Sequence, residues 1–385
     1  MKVLLVRNTP YDTDPNTYNV QEIGIGKAFC RLGYDYEHIC FKKANQKSWV
    51  FYETNGHEAR YTELPRLRFL RWGINTDLCK KSFLKKYDIV ISREYYQIMT
   101  YLMARNSNNV SMYNGPYYNM FIFKLFSPIY DLLFTKSLNR HLKGKFVKSE
   151  LSKRFLEEKG YTDVVDVCVG LDTERFDNAD EDLKTKEIVD FMNSNECILY
   201  VGALSDRKNY PFLLETYQRV LEKKPNVRFV VIGKSKVSAI WKLFGIDDKA
   251  YAERIENKFP ENVRKGIFHI DSIDNPQLKF IYPLAKAFLL PSKLEIFGMV
   301  LLEAMYLRAP VITSYNGGSV SLIGNSGPGC IIPEFDSEKW AKEVCNFIDN
   351  PSEIAKMVDD AHNLVKEKFS WDAIAKRMVD KIESF

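Results

Sequence analysis

The chain has 385 residues, 45% hydrophobic and 27% charged, with 55 Lys/Arg against 50 Asp/Glu and a net charge of +5. That length exceeds one ordinary core and indicates two domains of roughly 150–200 residues, while the composition excludes a disordered chain. No apolar run reaches the roughly 20 residues of a membrane-crossing helix, and seven scattered cysteines without a C-x-x-C pair read as reduced core residues, excluding a zinc ribbon or disulfide scaffold.

Short apolar runs alternate with helical patterns along the chain, the mark of parallel sheets built from βαβ units. The opening Met1-Lys-Val-Leu-Leu-Val-Arg7 reads as a buried strand, Val3–Val6, not a signal peptide. A helix follows over Val20–Leu32, stopped by Gly33. Further strands are predicted at Tyr36–Phe41, Ile89–Ser92, Val110–Tyr113, Lys145–Val147 and Val164–Cys168. The charged, aromatic-poor stretch 173–196 reads as a connection. Beyond it come strands at Ile198–Val201, Arg228–Ile232, Ile267–Ile270, Ala287–Leu290 and Val311–Thr313. The helix over Pro211–Glu222 has proline in its first turn. A last helix follows Phe369, capped by Ser370.

Charge is unevenly placed. Residues 1–180 carry 27 Lys/Arg against 21 Asp/Glu, and residues 181–385 carry 28 against 29. The excess gathers between residues 60 and 149, where 16 Lys/Arg face 5 Asp/Glu, so an anionic surface or substrate is expected at the first half. Leu64-Pro-Arg-Leu-Arg-Phe-Leu-Arg-Trp72 interleaves basic and apolar residues. Tyr117 to Phe134 is unusually aromatic and is followed by Lys136, Arg140, Lys143, Lys145 and Lys148. Residues 64–72 and 117–148 therefore suit docking at an anionic membrane surface; a buried helix with a solvated basic neighbour is the rival reading.

The most informative segment is Pro291-Ser-Lys-Leu-Glu-Ile-Phe-Gly-Met-Val-Leu-Leu-Glu303. A strand, a turn and a helix opened at Gly298 aim backbone N–H groups and a positive helix end at an anion. Glu295 precedes that turn and Glu303 lies inside the helix; acids beside an anion site suit sugar hydroxyls. Val201-Gly-Ala-Leu-Ser-Asp-Arg-Lys208 also links a strand to a helix, so Arg207 and Lys208 are placed to clamp a pyrophosphate.

Glu295, Phe297-Gly298, Glu303 and the following Ala309-Pro-Val-Ile-Thr-Ser-Tyr-Asn-Gly-Gly318 resemble the signature of the retaining glycosyltransferases of family 4. That family has the GT-B fold, an α/β architecture in which two doubly wound (Rossmann-like) parallel-sheet domains face across a cleft. The resemblance covers most of residues 145–385 and is one of layout over 1–144. It implies an acceptor-binding domain at 1–172 with a returning C-terminal helix 370–385, a linker at 173–196 and a nucleotide-sugar donor domain at 197–369.

By this resemblance Glu303 holds the ribose hydroxyls and Glu295 those of the transferred sugar. The N–H groups of Phe297, Gly298, Met299 and Val300 meet the phosphates, and Arg207 and Lys208, in the loop opened by Gly202, stabilise the departing diphosphate. Ala203 stands where the family has an arginine, so that contact is missing or has passed to Arg207. Gly233 is either where the base approaches the backbone or a simple turn glycine. Gly317-Gly318 permits a close backbone approach, and Ser319-Val320-Ser321 lacks the acid that often follows.

The first half departs from the family pattern. Its first loop lacks the usual glycine pair, with Asn16-Thr17 in its place, and Asn16, Tyr18, Asn19 and Gln21 are expected to supply side-chain hydrogen bonds. Asn114 stands where relatives carry a histidine and can position a hydroxyl without acting as a base. Glu94 either orients the acceptor or is a helix N-terminal acid, and Tyr117 belongs to the acceptor side. Gly24-Ile-Gly26 lies inside a helix, not at the strand end a dinucleotide fingerprint requires. Asp12-Thr-Asp14 reads as a turn, and the five histidines show no metal-ligand spacing.

The expectation is a metal-independent retaining hexosyltransferase with no cofactor beyond its nucleotide-sugar co-substrate, UDP-linked by preference. Its acceptor is a glycan or lipid-linked oligosaccharide in surface polysaccharide synthesis. The expected place is cytoplasmic, peripheral at the inner face of the cell membrane, with no nucleic-acid partner. The alternatives are a nucleotide-sugar epimerase or hydrolase of the same fold and a non-catalytic sugar-nucleotide-binding protein.

Overall fold

Continuous apolar runs bounded by polar turns give two separate parallel sheets in the computed structural model, which describes residues 1–9, 11, 15, 20–42, 46–121, 126–235, 248–325 and 327–384. The chain divides into one unit formed by Met1–Asp172 with Lys368–Phe385 and another formed by Thr173–Glu367.

In the first unit, β1 (Lys2–Arg7), β2 (Asp35–Lys42), β3 (Lys47–Thr54), β4 (His57–Pro65), β5 (Leu67–Phe69) and β6 (Trp72–Ile74) come first in the chain. They are followed by β7 (Ile89–Arg93), β8 (Val110–Asn114), β9 (Lys145–Val147) and β10 (Val164–Asp166). The main sheet runs β10-β9-β8-β7-β1-β2-β4-β3. Its strands are parallel except for the β3–β4 hairpin. Val3 to Val6 are all buried, as a strand covered on both faces demands. The hairpin, which the strand reading missed, had a sequence signal: Asn55 and Gly56 both take positive φ, 50° and 78°, as a two-residue turn between strands requires. A separate two-stranded ribbon pairs β5 with β6.

The glycines at 24 and 170 are explained by one indole. A Cβ on Gly24 would sit 2.2 Å from Cδ1 of Trp371, and one on Gly170 would sit 2.7 Å from Cα of Trp371. Trp371 begins the returning helix Trp371–Glu383, which packs on the helix Gln21–Arg31 within this unit. Ser370 caps it by accepting from Ala373 N–H at 3.3 Å.

In the second unit, β11 (Cys197–Val201), β12 (Arg228–Ile232), β13 (Ile267–Ile270), β14 (Ala287–Leu290), β15 (Val311–Thr313) and β16 (Cys330–Ile331) form an all-parallel sheet ordered β13-β12-β11-β14-β15-β16. Counted from β11, this is the doubly wound order 3-2-1-4-5-6. Tyr200, Tyr217, Phe229 and Trp340 fill its core. Residues 173–196, expected to be a connection, instead belong to this unit. They form the helix Leu183–Asn193, capped by Asp182, with Ile188 and Met192 buried and Phe191 stacked on Phe268 at 4.4 Å. Its charges lie on the outer face, which is why composition alone suggested a linker.

Candidate active site

In a doubly wound sheet the chain leaves in opposite directions on either side of the first strand, so the loops beyond the two central strands diverge and open a ligand crevice. In the second unit those are the loops after β11 and β14. The first carries Arg207 and Lys208, the second Glu295, Phe297 and Gly298. Hydrogen bonds stitch them together. Lys293 N–H donates to the Arg207 carbonyl at 2.9 Å, and Arg207 Nη1 donates to the Leu294 carbonyl at 2.8 Å. Glu295 Oε2 accepts from Arg207 Nη1 at 3.1 Å and from Lys208 Nζ at 2.5 Å. Lys208 is buried while Arg207 is half exposed, so one cation is held in place and the other reaches solvent.

Gly298 takes the left-handed conformation, φ 81°, and starts the helix Met299–Tyr306. Met299 and Val300 open the first turn at the positive end of that helix, and Leu301 N–H donates to the Gly298 carbonyl at 2.9 Å. The loop before it rests on the glycine pair expected from sequence. A Cβ on Gly318 would lie 1.6 Å from the Phe297 carbonyl oxygen, and Gly317 N–H donates to the Glu295 carbonyl at 3.2 Å. The close approach is therefore by the protein's own backbone. Asn316 caps the helix Gly317–Leu322 that carries the pair.

Glu303 lies inside the helix at 1% exposure. Its Oε1 accepts from Asn275 Nδ2 at 3.2 Å, whereas Oε2 is buried and has no hydrogen-bond partner. Burial pushes its carboxyl up to about 7, against the Asn275 hydrogen bond and the charge of Arg175. A buried oxygen left unpaired costs about 1–3 kcal/mol, and functional sites are where such a cost is retained. The group it fits is a hydroxyl donor. Sequence reasoning named Glu303 but not Asn275 or Arg175, which lie in separate segments with no motif around them.

Gly233 and Gly202 are explained together. A Cβ on Gly233 would sit 1.8 Å from the Gly202 carbonyl oxygen, while His269 Nε2 pairs with the Gly233 carbonyl at 2.9 Å. Close packing of two loops suffices to demand glycine at 233.

Of the expected acceptor-side residues, Asn114 and Glu94 are engaged with the protein's own loops. Asn16, Tyr18 and Asn19, like Asp12 to Asp14, lie outside the described residues. Asn114 is fully buried; its Oδ1 accepts from Tyr95 N–H at 3.3 Å, and its Nδ2 donates to the Pro116 carbonyl and to Ser152 Oγ at 3.0 and 2.9 Å. Its amide is spent on the scaffold, which corrects the expectation that it positions a hydroxyl. Glu94, at φ 67°, accepts from Gly115 N–H at 3.0 Å and pairs with Arg93 at 3.3 Å, bracing the loops after β7 and β8. It is not a helix N-terminal acid, because the next helix begins at Ile98 after Gln97. Tyr117 is half-buried, edge-on to Tyr118. Gln21 accepts from Lys148 Nζ at 2.9 Å.

A charged cluster that the sequence did not reveal surrounds these residues. Glu22 is buried and pairs with Arg93 and Arg7. Burial opposes its ionisation, but Arg93 and then Arg7 outweigh it and hold the carboxyl well below the usual range. Lys148 is pulled down to about 7 by burial and by the Arg93 charge. Arg7 and Arg93 end β1 and β7, adjacent strands far apart in sequence, so no local pattern announces them. Among the described residues, no group of three His, Cys, Asp or Glu could hold a metal ion, and no helix is long and apolar enough to cross a membrane.

Two cations, a carboxylate and a helix start lie at the switch point of a 3-2-1-4-5-6 sheet, where doubly wound domains open their ligand crevice. Residues 182–378, about half of the chain, match the family described as Glycosyl transferases group 1, and the chain belongs to that family. It is similar to a glycosyltransferase of Methanocaldococcus jannaschii, 26% identical over 52% of this chain and 48% of that protein. It is also similar to the capsular polysaccharide biosynthesis glycosyltransferase CapM of Staphylococcus aureus, 25% identical over 65% of this chain and 61% of that protein. The matched stretches thus span between about half and three fifths of these relatives. Among solved structures, sucrose-phosphate synthase from Thermosynechococcus elongatus superposes with a TM-score of 0.68 at 17% identity, covering 100% of this chain and 98% of that one. Anabaena Alr3699/HepE in complex with UDP and glucose superposes with a TM-score of 0.66 at 14% identity, covering 100% of both chains. These likenesses show the fold, the GT-B type expected from sequence.

Proposed function

We propose that the chain is a retaining glycosyltransferase that moves a hexose from a nucleotide sugar, UDP-linked by preference, to a glycan or lipid-linked oligosaccharide in surface polysaccharide synthesis. The observation that carries this reading is the unpartnered, buried Oε2 of Glu303 within the same domain as the Arg207–Lys208 pair. A ribose diol supplies the donors that carboxylate lacks, and a diphosphate supplies the negative charge the cations suit. UDP in the related Anabaena structure and the capsular role of the Staphylococcus relative support the donor and the pathway class.

During transfer, positive charge builds on the anomeric carbon and negative charge on the departing diphosphate. Lys208, Arg207 and the amides that open the helix Met299–Tyr306 stabilise that leaving charge, commonly the largest catalytic contribution. Two protein cations do this without a metal ion. Glu295, which pairs with both cations in the free protein, turns to hydroxyls of the transferred sugar when the diphosphate takes the cations. The leaving phosphate accepts the proton of the acceptor hydroxyl, so no protein nucleophile is needed. Glu295 is accordingly not cast as one.

The enzyme works at the inner face of the cell membrane. Leu67, Phe69, Leu70, Phe126, Ile129, Leu132 and Leu133 are all large and exposed, and they share their segments with Arg66, Arg68, Arg71, Lys136 and Arg140. Apolar side chains among cations suit an anionic bilayer. The test is a panel of nucleotide sugars scored by thermal shift and by slow donor hydrolysis. Stabilisation by UDP and UDP-hexoses supports the reading; indifference to every nucleotide overturns it.

A further inference from the structure

The two segments that carry the exposed apolar residues converge on a cavity. About 280 Å³ in volume, it lies in the first unit between the β5–β6 ribbon and the helical run Phe126–Tyr130, Asp131–Thr135 and Lys136–His141. Phe69, Leu70 and Trp72 line one side, and Ile129, Leu133 and Phe134 line the other. The middle five residues of the run are π-wound, a distortion frequent at functional sites.

The polar groups at the cavity's border are turned away from it. Trp72 Nε1 donates to the Tyr96 carbonyl at 2.8 Å, Tyr130 Oη to the Tyr95 carbonyl at 2.8 Å and Arg71 Nη1 to the Met120 carbonyl at 2.8 Å. A sugar would lose its hydrogen bonds to water there and gain none. A hydrocarbon chain loses nothing and buries apolar surface. The segment that forms this wall is basic: residues 64–72 hold Arg66, Arg68 and Arg71 and no acid, and Arg68, next in the chain to the lining Phe69, is exposed over the Tyr11 ring. An apolar pocket beside an exposed cation, Arg68, fits a chain that ends in an anion.

We propose that this cavity binds the single hydrocarbon chain of a lipid phosphate, the carrier end of the acceptor. This deepens, and rests on, the reading that the acceptor is lipid-linked. It makes the ribbon and the π-wound helix a specificity device, one that favours acceptors bearing a chain over free glycans. The bilayer surface itself is the competing occupant, and a monomeric probe separates the two.

The test titrates the full chain with farnesyl phosphate below its micelle concentration by calorimetry, with inorganic phosphate and farnesol alongside. Leu133→Glu and Ile129→Glu place a charge at the cavity; both side chains are more than half exposed, so folding is not at stake. Leu132→Glu is the control, 84% exposed and outside the lining. Expected is saturable one-to-one binding of farnesyl phosphate, weakened about tenfold or more by Leu133→Glu and Ile129→Glu and left within about twofold by Leu132→Glu. Inorganic phosphate alone should not saturate. The proposal is overturned if farnesyl phosphate does not bind, if all three variants weaken it equally, or if anionic vesicles bind while the monomer does not. Thermal shift by UDP in the same samples keeps the donor reading separate: a protein that binds UDP but no farnesyl phosphate loses only this site.

Discussion

Replacing Glu303 by glutamine tests the donor site from two sides. In the free protein the carboxyl is raised from 4.5 to about 7 by burial. The folded state therefore holds a proton that the unfolded state has released, and stability falls as pH rises between those values and levels off above 7. At 1.36 kcal/mol per unit, ionised Glu303 costs the free protein about 3 kcal/mol at pH 8 and nothing at pH 4. Glu303→Gln abolishes that slope and raises the thermal midpoint at pH 8 more than at pH 5. With UDP the sign reverses. Two ribose hydroxyls donating to a carboxylate make charge-assisted bonds, and losing the charge costs about 2–3 kcal/mol, or about 30- to 150-fold in Kd. Wild-type affinity for UDP should also rise with pH up to about 7, because binding favours the ionised form. The assay is thermal shift at both pH values, with calorimetry for Kd. A variant that gains stability and keeps UDP affinity within about threefold refutes the reasoning.

Lys208→Ala should lower kcat for donor hydrolysis by about 10²–10³, the usual loss on removing one group that stabilises the leaving charge; a loss below about fivefold would remove Lys208 from the mechanism. Gly318→Ala drives a Cβ against the Phe297 carbonyl oxygen, so the Glu295 loop must shift and the UDP thermal shift should disappear while the rest of the fold survives, as circular dichroism would report. Arg93→Ala leaves Glu22 buried without its main partner and should cost about 3–5 kcal/mol in urea unfolding at pH 7. Because the Glu22 carboxyl is held low in the folded state, the wild-type contribution is present above the ordinary glutamate pKa and is lost as pH falls below it. An Arg93→Ala variant with unchanged urea midpoint would show the pair to be dispensable.

The donor side was legible because its chemistry is local in sequence. Arg207 and Lys208 sit in one strand-to-helix turn, and Glu295, Gly298 and Glu303 share another, so spacing alone placed them on a loop and a helix start. What spacing does not convey is satisfaction of hydrogen bonds. Asn275 reaches Glu303 from a separate loop, and the empty valence of Oε2 exists only once the helix is packed. The first unit was legible as strands and opaque as a site, since Arg7 and Arg93 meet through the pairing of β1 with β7, while Glu22 reaches them from the first helix and Lys148 from beyond β9. Asn114 misled for the same reason: its position after β8 was readable, its three internal hydrogen bonds were not. The β3–β4 hairpin interrupts the strand–helix alternation, and its sequence signal is the Asn55-Gly56 turn.

A crystal of the full chain grown with UDP tests the central claim most directly. The account predicts the ribose within hydrogen-bond distance of the Glu303 carboxylate and the phosphates at Lys208 and the N-terminus of the helix Met299–Tyr306. UDP bound elsewhere, with Oε2 of Glu303 still unpaired, would contradict it.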